Sequence, residues 1–548
     1  MSFAVQNTGR EGEQMANQVI IIGAGIAGMS VGSYLQMNGY GTQIFELHTL
    51  PGGLCTGWTG HSPGEPDRYS FDGCIEWLVG SGPPHPFHQM WCELLDMSAV
   101  QFVHHDLRFD IELDQPDHHG DRVFHLYTDL DRLDRYLKEI APEDAAAIDE
   151  FIGLVRTMQK YSLPPLFTVA PEVRTWRDKL GLVKYLPFLL SAGKWSKVTN
   201  FQFAERLRNP FLREAFRSFF QGREMGIMAI TPQLAWFDQK CIAFPIGGSR
   251  RFAQRIAERY ESLGGALHLG TPVRRILVED DRAVGVELED GHRYDAGTVI
   301  SAADGRWTIF EALGGRYVGA AISDLYDGKT MDVSDAVILV SLGVARTFER
   351  EPWLLRFPLA EPLALPDGTR HERMNTHIYN YDPTLAPAGK TSVSVPLYTR
   401  NYAYWTGLRE RDRAGYEAVK DEVARQVIDR LDARLGDIKD NVEVIDVATP
   451  ATFIRYTHNW QASHMGWATP DDLLAPTSIP KTLPGLDRFY MTGHWVEPPG
   501  GVPIAAQSGR NLAQIICKRD GKRFRAVRCS SSAEPGTLPA QHVNRANI

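Results

Sequence analysis

The sequence predicts an α/β protein, a discontinuous nucleotide-binding domain into which an α+β domain is inserted. Two observations at the ends and one in the middle carry this. A β-α-β unit with a glycine fingerprint opens the ordered chain, a second glycine-rich turn stands near its far end, and two long stretches of mixed helical and strand patterning lie between.

The first element is the run Val19-Ile-Ile-Ile22, β-branched as in a strand buried on both faces of a parallel sheet. Gly23-Ala-Gly25-Ile26-Ala27-Gly28 follows, then a helix-like stretch from Met29 to Asn38 that stops at Gly39. A second strand, Gln43-Ile-Phe45, leads into Glu46. This is the Rossmann-type dinucleotide fingerprint in its full context. Gly23 allows the tight turn, Gly25 lets a pyrophosphate approach the backbone, and Gly28 lets helix and strand pack closely. The helix N-terminus offers free N–H groups and positive dipole to phosphate. Glu46 would accept the ribose hydroxyls, and an acid there makes a 2′-phosphate cofactor the poorest candidate.

A diglycine, Gly52-Gly53, comes six residues after Glu46. Many flavoproteins place one there. Near the other end, Met491-Thr-Gly493-His494-Trp-Val-Glu497-Pro-Pro-Gly500-Gly501-Val502-Pro503 reads as a strand, a glycine-rich turn and a helix start. It would bring a second set of backbone N–H groups to a cofactor.

Together the two ends resemble the phytoene desaturase-related flavoproteins, which include carotenoid desaturases, carotenoid isomerases and retinol saturases. The matches keep the family's order: the fingerprint at 23–28, Glu46, the diglycine, Phe71-Asp72-Gly73, Phe244-Pro-Ile-Gly247-Gly248, the stretch from Gly264 to Val273, Val299 to Asp304, then Gly493 and Gly501-Val502-Pro503. Desaturases of the family usually carry a basic residue where Leu54 stands, and Phe-Asp-x-Gly where Cys74 stands. In both the sequence looks closer to the saturase-like branch.

The resemblance implies bound FAD. By position, Gly23, Gly25, Ile26, Ala27 and Gly28 would hold the diphosphate and Glu46 the adenosine ribose. Gly53 and Leu54 would touch the ribityl-phosphate side, Val273 the adenine, and Gly493, Gly501 and Val502 the flavin end. The activity implied is an FAD-dependent oxidoreductase acting on C–C bonds, by desaturation or saturation, of a hydrophobic isoprenoid or polyene substrate. Two alternatives share the architecture: an amine-oxidase-like flavoenzyme and a non-redox lipid-binding protein. Glu76, His494 and Glu497 are the candidate acids and bases, because each stands beside a motif at the flavin end.

The expected domain organisation follows. Residues 1–17 form a disordered tail; 18–80, 225–305 and 485–518 form the FAD-binding domain; 81–224 and 306–484 form the substrate domain; 519–548 is a basic and then disordered tail. The first insertion reads as mostly helical. The second mixes strands at 336–344 and 391–398 with a long helix at 413–435. The aromatic stretch from Tyr398 to Trp405 reads equally as a sheet face in the core or a ligand wall.

Length and composition agree with several domains of ordinary globular character: 548 residues, 43% hydrophobic and 23% charged. The net charge of −9 argues against nucleic-acid binding. No apolar run is long enough to span a bilayer. Six cysteines without a CxxC pair suggest reduced thiols and a cytoplasmic protein. His104-His105 and His118-His119 read as hairpin and loop residues with diverging rings, and no metal is expected. Residues 174–197 hold six basic residues and one acid around an apolar middle framed by Trp176 and Trp195. That pattern suits an interfacial helix, bent by Pro187, lying peripherally on a membrane.

Overall fold

The computed structural model describes residues 17–61, 68–161, 169–468, 479–527 and 537–538. Its organising element is a five-stranded, all-parallel sheet. The order is Ala266–His268, Gly41–Phe45, Gln18–Ile22, Thr298–Ser301, Phe489–Met491. The central strand is buried on both faces, with Val19, Ile20 and Ile21 at most 1% exposed, as its unbroken β-branched run requires. The helices Ile26–Met37, Gly248–Ser262 and Val502–Arg519 pack together beside this sheet. A three-stranded antiparallel meander, Val273–Glu279, Arg282–Leu288 and Arg293–Asp295, turns at Asp280-Asp281 and Gly291, where the sequence carries its turn residues.

A seven-stranded mixed sheet forms the second layer. Its order is Val442–Ala448, Ala336–Val344, Thr391–Thr399, Arg370–Ile378, Leu354–Ala364, Leu107–Glu112, Val123–Tyr127. The helix Arg413–Leu435 covers it, burying Val423, Val427 and Leu431 at helical spacing. Helix Leu130–Ile140 is capped by Asp129, whose carboxylate accepts from the Arg132 amide, and buries Leu130, Leu133, Leu137 and Ile140.

Several expectations need correction. The stretch 81–224 is mostly helical as expected but also holds a hairpin, because the alternation Leu-Arg-Phe-Asp-Ile-Glu is a period-two strand signal and joins the seven-stranded sheet with its partner. The stretch 174–197 is not one bent helix. It is three short pieces, Trp176–Leu180, Gly181–Tyr185 and Leu186–Trp195, and Pro187 starts the last of them. Tyr398 ends a strand, but Tyr404 and Trp405 lie on the helix Tyr402–Arg411, where the indole of Trp405 donates to Asp367 in the core. The His118 and His119 rings do not diverge: their centroids lie 3.9 Å apart, tilted at 43°. Cys92 is disulfide-bonded, against the reading of uniformly reduced thiols.

Residues 1–16 and most of 528–548, read as tails, lie outside the described residues; Thr537–Leu538 pairs as a short strand with Phe102–Val103 and so is not part of a disordered tail. Among the described residues no helix is long and apolar enough to cross a membrane, and no three His, Cys, Asp or Glu side chains gather as a metal site.

Candidate cofactor and active site

A cleft of about 260 Å³ runs along the carboxyl ends of the parallel strands. Its first wall is the glycine turn. Gly23 takes φ +99°, open to glycine at little cost. A Cβ on Gly28 would lie 2.0 Å from the Gly23 carbonyl oxygen, so this glycine sets the helix against the strand and does not itself face the cleft. A Cβ on Gly25 would meet nothing within 4 Å. The open space beside Gly25, at the uncapped N-terminus of helix Ile26–Met37, is what a diphosphate needs.

Glu46 lines the same cleft, and both its oxygens are engaged. Oε2 accepts from the Ala24 amide at 2.6 Å and Oε1 from the His48 amide at 2.8 Å. Burial raises its pKa, and these backbone donors oppose the rise. The carboxylate therefore also pins the fingerprint turn to the end of the second strand, a positional role beyond the expected ribose contact. The diglycine closes over that turn: Gly25 and Gly52 form a bridge, and Gly52 and Gly53 have φ of +121° and +61°.

At the far end the turn 491–501 meets the fingerprint helix. The Gly493 amide donates to Ser508 Oγ, and Gly493 and Gly501 have φ of +106° and +88°. A Cβ on Gly509 would lie 2.6 Å from the Ala27 carbonyl oxygen, so the closing helix Val502–Arg519 can approach the first only because that residue is glycine. This contact brings residues of the two chain ends to one cleft.

Of the residues singled out above, Gly23, Gly25, Ile26, Ala27, Glu46, Gly53, Leu54, Val273, Gly493, His494, Gly501 and Val502 all line it. Burial lowers the His494 pKa to about 4, so the ring is neutral at neutral pH, and its Nε2 lies 3.3 Å from Asn459 Oδ1. Glu497 is not among the residues that line the cleft; it pairs with Lys481 at 3.0 Å and accepts from Asn511.

Glu76 lies behind the cleft wall and is positioned by a motif. Asp72 accepts from the Ser249 amide and hydroxyl at the start of helix Gly248–Ser262 and from the Cys74 amide. Cys74 lines the cleft, and Glu76, two residues on, comes within 3.5 Å of His377 Nε2. The Phe71-Asp72-Gly73 motif is thus a bracket that fixes where the next four residues sit.

The sequence reading missed the segment 456–464, placed in the substrate insertion. Tyr456, Thr457, His458, Asn459 and His464 line the cleft. Asp304 ties this segment down: it accepts from the Trp307 amide at 2.7 Å and the Trp460 amide at 2.8 Å, and burial raises its pKa to about 6. Asn459 carries no flanking motif, so only the fold reveals it.

Comparison with known proteins agrees with this geometry. The flavin containing amine oxidoreductase family matches residues 26–517. A 4,4′-diapophytoene desaturase (4,4′-diapolycopene-forming) of Methylomonas is 22% identical over 94% of this chain and 98% of its own. The chloroplastic prolycopene isomerase of Arabidopsis thaliana is 25% identical over 94% of this chain and 85% of its own. Among solved structures, an oxidoreductase from Methanosarcina mazei superposes with a TM-score of 0.55 at 15% identity, covering 91% of this chain and all of the other, a likeness of fold.

Proposed function

This chain belongs to the flavin-containing amine oxidoreductase family and is an FAD-dependent oxidoreductase, and we propose that it desaturates or saturates C–C bonds of a hydrophobic polyene or isoprenoid. The observation that carries the substrate class is the near full-length similarity to a carotenoid desaturase and a carotenoid isomerase. An aromatic wall that meets the cleft at His464 supports it. The Tyr398 ring lies 5.3 Å from His464, Tyr379 lies 6.1 Å from Tyr381, and Trp353 lies 6.1 Å from His377. Such an aromatic wall suits a conjugated apolar chain.

When bound, FAD supplies the two-electron chemistry. The chain's own residues bind, orient and exclude water. The fingerprint amides at 23–28 would meet the diphosphate, Glu46 the ribose and the Val273 backbone the adenine. Gly53 and Leu54 would flank the ribityl chain. The start of helix Val502–Arg519 would hold the flavin end and favour negative charge there. His494, neutral and within 3.3 Å of Asn459, is a polar group at that end of the cleft. Glu76 is the candidate proton carrier, with His377 beside it.

The same reading extends to how substrate arrives. Trp176, Leu180, Val183, Leu186, Leu189 and Leu190 are 45–68% exposed within one surface stretch that also carries Arg177, Lys184 and Lys194. This face makes peripheral contact with an anionic membrane surface. Phe188 instead packs against the core beneath.

The test is incubation of the purified yellow protein with a linear carotenoid in micelles, oxidised and reduced in turn. Chromatography with mass detection should find a product differing by two hydrogens. Oxidation of simple amines with no change in any polyene would overturn the proposal.

A further inference from the structure

Behind the aromatic wall lies a cationic group that a pure hydrocarbon would not use. Arg108 sits at a β-bulge, where the register of Leu107–Glu112 against its hairpin partner shifts between Leu107 and Phe109. A bulge re-aims its side chain, and this one turns a guanidinium into the interior. Arg108 is 3% exposed. Its guanidinium carbon lies 3.8 Å from the Trp77 ring centroid, yet Nε and Nη1 are buried with no hydrogen-bond partner among the described residues. Burial pulls its pKa down to about 9, which still leaves it cationic at neutral pH.

Its surroundings do not balance it. Arg356, 8% exposed, is a second buried guanidinium in the same electrostatic neighbourhood. Arg356 is already satisfied, donating to Asn375 Oδ1 at 3.0 Å and to the Phe219 carbonyl at 2.7 Å. Asn375 reaches His377 at 3.2 Å, and burial lowers the His377 pKa, so that ring adds no charge. Among the described residues Glu76 is the one carboxylate acting on both Arg108 and Arg356, and it is only partly buried, with 29% of its side chain exposed. Two guanidinium groups therefore face one carboxylate. The group is linked to the cleft through Cys74, a lining residue two before Glu76, and through Tyr398, whose ring lies 5.3 Å from that of the lining His464.

We propose that Arg108, with Arg356 behind it, forms a subsite for the carboxylate of an amphipathic polyene or isoprenoid acid, whose apolar chain then lies along the aromatic wall toward the flavin. A buried guanidinium with unpaired donors suits a carboxylate and has no equivalent use for a hydrocarbon end. This rests on the polyene reading above and narrows it to substrates that are oxidised at one end.

The probes are retinoic acid and its uncharged methyl ester, titrated into the FAD-loaded protein and followed by tryptophan fluorescence. The acid should bind about 10-fold tighter or better, in the range of a charge-assisted pair. Arg108→Gln, at unchanged FAD content, should bring the ratio close to one. Glu76→Gln should widen it, because the competing carboxylate is gone; a merely structural role for Arg108 would not produce that opposite shift. Equal binding of acid and ester to the wild type overturns the subsite and leaves the polyene reading standing. So does a ratio that survives Arg108→Gln. Failure of both probes to bind would count against both.

Discussion

A Cβ placed on Gly53 would stand 3.3 Å from Gly25 Cα, so the diglycine rests on the residue that leaves room for a diphosphate. Two segments separated by a helix and a strand thus share one small volume, and substitutions there separate cofactor binding from folding. Gly25→Val fills open space. It should cost under about 1 kcal/mol in the cofactor-free protein while abolishing FAD binding. Gly28→Val drives a side chain into the Gly23 carbonyl and should cost about 3 kcal/mol or more, with loss of the fold itself. Denaturant melts of the two variants, with released FAD measured, should rank them in that order.

Asp304 makes the cleft sensitive to pH. Its folded pKa of about 6 stands above the unfolded value of about 3.9. The folded state therefore binds more protons between those values, and the stability gained at low pH is lost as pH rises from about 4 through about 6. The change is about 2–3 kcal/mol at most. Asp304→Asn should be less stable overall, since it meets the Trp307 and Trp460 amides with one acceptor oxygen. Its melts between pH 4 and 7 should nevertheless be flatter than those of the wild type. An unchanged slope would assign the dependence to other groups.

Glu497→Gln tests whether that residue belongs to the chemistry. Lys481 keeps a second partner in Glu172 at 3.1 Å, so the substitution should cost only about 1–2 kcal/mol. FAD content and turnover should stay within a factor of about two. A large fall in turnover with FAD retained would return Glu497 to the site.

The surface face at 176–190 should hold the protein on lipid. The purified protein should sediment with vesicles rich in phosphatidylserine at low ionic strength and release as salt is raised. Leu186→Ser, Leu189→Ser and Leu190→Ser together remove three exposed apolar side chains, each worth ~25 cal/mol per Å² buried in lipid. The triple variant should remain in the supernatant with its FAD. Equal sedimentation of both proteins would contradict the membrane contact.

Much of the cofactor end was legible in the sequence, because the needs of a dinucleotide site are local. A buried strand, a turn that only glycine fits and a helix start each leave a short pattern, and Gly23, Gly25, Glu46, Gly493 and Gly501 all carry one. The strands at 336–344 and 391–399 and the helix Arg413–Leu435 were legible through periodicity. What escaped was set by tertiary contact. Asn459 reaches the cleft because Asp304 holds the Trp460 amide, a link across 156 positions. Arg108 is aimed inward by a bulge whose register depends on its partner strand. Glu497 sits beside a flavin motif yet turns to Lys481, since proximity in sequence does not fix side-chain direction.

The central claim is that electrons pass between FAD and the carbon–carbon bonds of a polyene. Its most direct measurement is the visible spectrum of the flavin on anaerobic mixing with a linear carotenoid, starting from oxidised and from reduced protein. The account predicts that one starting state changes its flavin spectrum with a matching shift in the carotenoid's absorption, and that Gly25→Val shows neither. A flavin that ignores the polyene in both states but is bleached by a primary amine would contradict it.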